Sequence, residues 1–375
     1  MEKVRPTERL WYQIENVKEV SSPSLLVYPE RIESNILRMV EIAGGVCRLR
    51  PHVKTHKMPE IIILQMKFDI NKFKCSTISE TEMVARCGAK DILLAMQPVG
   101  PNLERFFQLK KEFGGIQISC IADSEEIILK LSDMARSTGL ETHVWLDINN
   151  GMNRTGIAPG ENAIRLFKLL GNLPKLIAAG LHVYDGHIQE KEFPLRQQIC
   201  NDSYVPVQNM INDLINEGIR PLSIVAGGSP TFPIHASRKD VEVSPGTILL
   251  WDYGYSSSFP DMDFLHAAVL LSRIVSKPAK ELLCLDLGHK AVASEMPQPR
   301  IKIMGMDDYT IINHSEEHMV IRTPEAEKMK IGDQVYAIPW HICPTVDRFD
   351  VVSVVSESKV TGQWTVEARK RKVTI

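Results

Sequence analysis

Short apolar runs alternate with longer amphipathic ones along the first two thirds of the chain. Residues 30–42 place Ile32, Ile36, Met39 and Val40 on one stripe that stops at Gly44-Gly45. Spacing near 3.6 predicts a helix, and glycine just beyond it predicts the helix end. Further along, strands are expected at 46–50, 73–78, 91–95, 116–122, 143–148, 176–184, 222–226 and 241–243. Helices are expected between them at 59–68, 80–87, 103–113, 125–137, 161–170 and 192–217. Regular strand–helix alternation implies a parallel sheet, because parallel neighbours need a crossover connection. Eight such units in about 200 residues fit a closed (β/α)8 TIM barrel. An open doubly wound sheet is the rival, but it seldom needs eight regular units.

After about Tyr253 the texture changes. Residues 267–275, 282–286, 318–322, 334–338, 351–357 and 363–368 are short, β-rich and separated by turn residues. They predict a mostly antiparallel β domain. Residues 24–28 offer one more strand, either to that domain or as its link to the barrel. The fold class is therefore α/β, a TIM barrel followed by a C-terminal β domain. The expected boundaries are 25–255 for the barrel and 256–375, with 1–24, for the β domain.

Composition narrows the classes of function. Charged residues make up 24% and the net charge is −2, with no basic tract, so no nucleic-acid partner is expected. No apolar run approaches the roughly 18–20 residues that span a bilayer, so no membrane partner is expected either. The first twelve residues lack the apolar core of a secretory signal. Cys47, Cys75, Cys87, Cys120, Cys200, Cys284 and Cys343 are scattered and odd in number. That pattern reads as reduced thiols and a cytoplasmic location.

A barrel carries its chemistry just after the C-terminal ends of its strands. After the first expected strand stands Arg50-Pro51-His52-Val53-Lys54-Thr55-His56-Lys57. It surrounds Lys54 with two histidines and two other cations. Positive neighbours and partial burial favour the neutral amine that a Schiff-base lysine must be. A solvated basic loop is the plain alternative. After the fifth strand, 147–156 is a glycine-containing loop in which Arg154 can reach an anion. The sixth strand leads into Tyr184-Asp185-Gly186-His187. Gly227-Gly228-Ser229 and Ser244-Pro245-Gly246-Thr247 follow strands seven and eight, where barrels often bind phosphate through backbone N–H groups. In the β domain, His341 and Cys343 stand two apart in an expected extended segment and point the same way. Imidazole with thiolate suits zinc, and two ligands leave positions open for water or substrate. A packed histidine and a buried thiol are the alternative.

These segments, in this order, resemble the D-threonine aldolase and D-serine dehydratase family, which shares its barrel with alanine racemase (PLP fold type III). The resemblance is carried by 50–56, 151–156, 227–231, 244–247 and 341–345, and runs over about residues 20–350. It implies that Lys54 carries pyridoxal 5'-phosphate (PLP) as a Schiff base and that Arg154 contacts the cofactor's phenolic oxygen. It sets Tyr184 against the pyridine ring. Gly227, Gly228, Ser229, Gly246 and Thr247 would hold the phosphate, and His341 and Cys343 a divalent metal, zinc or manganese. The substrate implied is a small D-β-hydroxy amino acid, and the assembly a homodimer. D-Threonine aldolase is the favoured activity, with His187 as candidate base for the hydroxyl. D-Serine dehydratase, giving pyruvate and ammonia, is the alternative. A PLP-binding protein without catalysis fits less well, because such proteins usually lack the added β domain.

Overall fold

The computed structural model describes residues 10–220 and 223–375. The first nine residues of the expected 1–24 segment, and Leu222 of the expected 222–226 strand, lie outside the described residues. The chain divides into two compact units. One takes in 33–249, 256–264 and 367–375, the other 10–32, 250–255 and 265–366. A single break at 256 is therefore corrected. Residues 250–255 stay with the β unit, where Gly254 N–H donates to the Trp340 carbonyl at 2.9 Å. The last nine residues return to the barrel unit, where Thr374 N–H donates to the Glu82 carboxylate at 3.1 Å.

The first strand, β1 (Ser24–Val27), belongs to the β unit. The barrel unit holds β2 (Lys72–Cys75), β3 (Asp91–Leu94), β4 (Gln117–Ala122), β5 (Thr142–Ile148), β6 (Leu176–Val183), β7 (Ser223–Ala226) and β8 (Val241–Val243). These seven pair in sequence order as a parallel sheet. Helix Pro59–Lys67 leads into β2, and helices Ile78–Arg86, Pro101–Glu112, Glu125–Thr138, Glu161–Asn172, Phe193–Asn216 and the short Phe232–Ala236 connect the seven strands. Leu93, Ile121, Trp145, Ala179 and Val225, one from each of five neighbouring strands, form one apolar cluster.

The expected strand at 46–50 is corrected. Val46–Arg48 is a single 3-10 turn, and only the stretch after it pairs with strands. Leu49 bridges Val243 of β8, and His52 bridges Lys74 of β2. Pro51 has no N–H to give a ladder, so pairing here is reduced to isolated bridges. Its carbonyl still accepts the Lys74 N–H at 2.9 Å, and the His52 N–H reaches the Pro245 carbonyl at 2.8 Å. The segment thus joins both edges of the sheet and closes the barrel. Arg50, 1% exposed, clamps this seam with a bidentate pair to Asp91 (2.8 and 2.7 Å) and a bond to Glu242 at 2.8 Å. Breaking one side of such a buried pair typically costs about 3–5 kcal/mol.

The β unit adds β9 (Ala268–Ser276), β10 (Leu282–Leu285), β11 (Ile301–Ile303), β12 (Thr310–His314), β13 (Met319–Arg322), β14 (Gln334–Pro339), β15 (Val351–Ser356) and β16 (Lys359–Thr365). The sheet order is β12-β13-β10-β9-β1-β15-β16, with β14 on β9 and β11 on β14. Every pairing is antiparallel except β1 with β15. Its core gathers Tyr12, Leu26, Tyr28, Val269, Leu271 and Tyr336. The pattern along the chain did not reveal β11 or β12. The first is three residues long, and the second buries none of its side chains, so neither carries a period to read.

Candidate active site

A cavity of about 470 Å³ opens at the C-terminal ends of the barrel strands. Its wall includes His52 and Lys54 from the closing segment, Lys74 and Ser76 from β2 and its exit, Asp147 from β5, Arg154 from the next loop, and His182 and Tyr184 at the end of β6. Local structure explains these placements. The loop after β5 leaves and returns at one point: Asn149 N–H donates to the Ile157 carbonyl, and Ile157 N–H to the Asp147 carbonyl, each at 2.9 Å. Gly156 closes it at φ +93°, in the left-handed region that favours glycine. A Cβ there would meet Asn149 N at 2.6 Å. Arg154 rides on this loop with its guanidinium 5.0 Å from the centre of the Tyr184 ring. That ring leaves no room at Gly228, where an added Cβ would stand 3.0 Å from it.

The surroundings of Lys54 differ from those expected. His52 and His56 are buried and do not act as cations. Burial, then Lys74 and Lys54, hold His52 well below its ordinary pKa. Burial pushes His56 down to about 3. Arg50 is tied to Asp91 and Glu242, and Lys57 lies 3.5 Å from the Glu80 carboxylate. Lys74, which stands inside the expected strand at 73–78, is the other amine on the cavity wall. It is 2% exposed, and burial lowers its pKa to about 7.

Asp147 and His182 form a buried pair, Oδ1 to Nδ1 at 2.7 Å. Burial raises the carboxyl pKa, but the bond to His182 outweighs it and holds Asp147 below its ordinary value. Burial also holds His182 below its own, so the ring is neutral and donates from Nδ1. Its Nε2 is then an acceptor, and it is buried without a partner. A buried acceptor left open in a cavity wall is a place for a ligand's donor.

The turns after β7 and β8 converge. N–H groups of Gly246 and Thr247 both point at Ser229 Oγ, at 3.2 and 3.1 Å, and Gly228 N–H points at Thr231 Oγ1 at 3.3 Å. Gly227 has φ +80°, and a Cβ there would lie 2.7 Å from His235. Such converging N–H groups make a cradle for an anion. Asp185 holds the cradle from behind. It accepts from Thr231 Oγ1 and His235 Nε2, both at 2.7 Å. Cys200 lies 3.5 Å from the same His235 nitrogen. Asp185, Cys200 and His235 have the donor types of a metal site. Their protons argue for a hydrogen-bond network instead. Arg238 donates to His235 Nδ1 at 3.0 Å, so the proton of a neutral ring sits on Nε2 and points at Asp185. Burial also pushes the Cys200 thiol up to about 12.

His187 does not line the cavity. It is exposed, with its ring against Gly151 of the β5 loop. In the β unit, His341 and Cys343 do meet, but not through an extended segment. His341 caps a short helix, Ile342–Val346, so Cys343 lies in its first turn. Pro344 suits that turn, where its missing N–H has no helical partner to lose. Burial works against protonation of His341, yet Cys343, Asp252 and Glu295 outweigh it and lift its pKa to about 9. Glu295 Oε1 lies 2.6 Å from His341 Nδ1. The buried Asp252 accepts the Ile342 N–H at 3.0 Å and fixes the helix start.

Comparison with known proteins bears on both units. The model described as the alanine racemase N-terminal domain matches residues 27–256. The serine dehydratase domain model matches residues 267–355. A D-threonine aldolase of Arthrobacter sp is 28% identical, with 93% of each chain covered. A 3-hydroxy-D-aspartate aldolase of Paracoccus denitrificans (strain Pd 1222) is 26% identical over 94% of this chain and 92% of the relative. The crystal structure of a D-threonine aldolase from Filomicrobium marinum superposes with a TM-score of 0.86 at 24% identity, covering 94% of this chain and 96% of that one.

Proposed function

The chain belongs to the alanine racemase N-terminal domain family, and on that footing we propose that it is a PLP- and metal-dependent lyase that cleaves D-β-hydroxy amino acids, most simply D-threonine, to glycine and an aldehyde. One observation carries the reading. Lys54 shares a cavity wall with His52, Arg154 and Tyr184, and the turns after β7 and β8 adjoin it: Gly228 lies against the Tyr184 ring and Gly246 against His52, while the Gly246 and Thr247 N–H groups point at Ser229 Oγ and the Gly228 N–H at Thr231 Oγ1. An amine and an anion cradle on one barrel mouth fit a phosphorylated aldehyde. The open Nε2 acceptor of His182 adds a polar place for it.

The protein's own residues have distinct tasks. Lys54 supplies the amine that carries the cofactor. Gly228, Gly246 and Thr247 give N–H donors to its phosphate, with the Ser229 and Thr231 hydroxyls beside them. Tyr184 and Arg154 orient its ring. Bound PLP withdraws electrons from the carbon whose bond breaks. His341 and Cys343 would hold the metal, which acts as a Lewis acid toward oxygen. Glu295 on His341 Nδ1 is the carboxylate that a metal-bound imidazole ordinarily donates to, and it leaves Nε2 for the ion. His187, which packs against Gly151 of the β5 loop, is proposed as base for the hydroxyl.

A second reading, D-serine dehydratase, rests on the match of residues 267–355 to the serine dehydratase domain. Incubation with D-threonine and D-serine, assaying acetaldehyde and pyruvate separately, decides between the two. Acetaldehyde as the main product is expected, and turnover of neither substrate would overturn the lyase reading. Borohydride reduction and peptide mapping should leave the cofactor on Lys54; finding it on Lys74 would reassign the amine. His341→Ala is expected to abolish chelator-sensitive turnover and keep the yellow cofactor, whereas full activity without metal removes the metal site. His187→Asn should lower kcat for cleavage by about 10²-fold, and an unchanged kcat places the base elsewhere.

The finer features are proposed as well: zinc or manganese as the metal, a homodimer and a cytoplasmic location. Seven free cysteines support the reducing compartment. No helix among the described residues is long and apolar enough to cross a membrane. Elemental analysis and the sedimentation mass test the first two; secretion of the protein into the medium would exclude the third.

A further inference from the structure

Lys74 is an amine on the cavity wall that the proposed reaction does not use. Its backbone is locked between Pro51 and Val53 by bonds of 2.9 Å on either side. Its side chain ends at the cavity wall, with Nζ 5.4 Å from the centre of the Tyr184 ring. Among the described residues no carboxylate pairs with it. Asp147 on β5 bonds His182 through Oδ1 and keeps a buried Oδ2 without a hydrogen-bond partner, and Asp185 after β6 bonds His235 and Thr231; both carboxylates act on Lys74 from a distance and neither forms an ion pair with it. The remaining groups that face it are Arg50, His52 and Lys54 on the closing segment and His182 on β6. Nearest in effect is another amine, Lys54, and burial leaves Lys74 half-neutral near pH 7.

An ammonium that is buried and unpaired is costly, and an anion arriving beside it removes the cost. In the proposed lyase the cofactor's phosphate is taken by the turns after β7 and β8, with their Gly228, Gly246 and Thr247 N–H groups. The anion left without a partner is the carboxylate common to all amino-acid substrates. We propose that Lys74 receives the substrate's α-carboxylate and takes up a proton from solvent as that carboxylate binds. This deepens the lyase reading by naming a residue that selects for an amino acid over a simple hydroxy-aldehyde or amine.

The test is binding, not turnover. Cofactor-loaded protein is titrated calorimetrically with D-glycerate, which offers a carboxylate and a hydroxyl but no amine to condense. Runs at pH 7.5 in two buffers of different ionisation heat count the protons taken up. The wild type is expected to take up roughly 0.5–1 proton per D-glycerate. Lys74→Met should bind at least tenfold more weakly with uptake near zero. Lys74→Arg, always charged, should restore binding without uptake, which a merely structural role would not produce. Equal uptake in wild type and Lys74→Met overturns the proposal. So does uptake seen when apoprotein takes PLP but absent when D-glycerate follows. A protein that turned over neither D-threonine nor D-serine, yet showed this pattern, would sink the lyase reading and leave the role of Lys74 standing.

Discussion

Lys54→Ala is expected to lower turnover of D-threonine at least about 10⁴-fold, as loss of a covalent catalytic group does elsewhere, with little effect on folding. Lys54 is half-buried on the cavity wall, and its N–H reaches His52 Nδ1 at 3.3 Å. That backbone bond survives the substitution. Its amine makes no ion pair among the described residues, so truncation leaves no buried charge exposed as an orphan. Stability should therefore change by less than about 1 kcal/mol. Steady-state cleavage and a urea transition measure the two quantities. Lys74 gives the experiment an internal check, because a second amine lies on the same wall. A variant that stays yellow and is fixed by borohydride at Lys74 would show the cofactor finding that amine. A variant that retains full cleavage would remove Lys54 from the chemistry altogether.

Lys74→Met should make the apoprotein more stable at pH 7, and less so as pH rises. In the unfolded chain the amine titrates near its ordinary 10.5, and in the barrel near 7. Between those values the unfolded chain holds a proton that the folded protein lacks. Wild-type stability therefore rises with pH across that window, and below about 7 this group contributes a constant penalty. The full penalty is on the order of 4–5 kcal/mol. Met keeps most of the side-chain volume and carries no charge. Its advantage over Lys should thus be largest at pH 7 and small by pH 10. Denaturant midpoints of both apoproteins at the two pH values supply the comparison. A Met variant less stable than its parent at pH 7 would mean that the amine is charged and satisfied in the empty barrel.

The two amines show how differently a sequence exposes its residues. Lys54 was visible because it sits in an unusual octapeptide directly after an expected strand, where barrels put their chemistry. Lys74 lies inside a strand, in Lys72-Phe73-Lys74-Cys75. Alternation there reads as a polar face turned to solvent. Lys72 does stay partly exposed and pairs with Glu242. Lys74 is buried because residues 49–53 fold across that edge of the sheet. The same closure buries His52 and His56, and so turns two expected cations into neutral rings.

Periodicity and turn residues sufficed for the seven paired barrel strands, their long helices, the parallel sheet and the mostly antiparallel character of the β unit, because each is written in neighbours a few positions apart; they missed β11, β12 and the short helix Phe232–Ala236. The loops that carry Lys54, Arg154, Tyr184 and the two glycine turns were legible for the same reason: each follows an apolar run. Contacts between distant segments settled what local pattern leaves open. They reduced the first strand to bridges, started a helix at His341, and set His187 outside the cavity lining. They also joined Asp185 to His235, fifty residues on, behind the anion cradle. Burial, and with it the protonation of each cavity group, depends on which segment lies on top, and that information is spread over the whole chain.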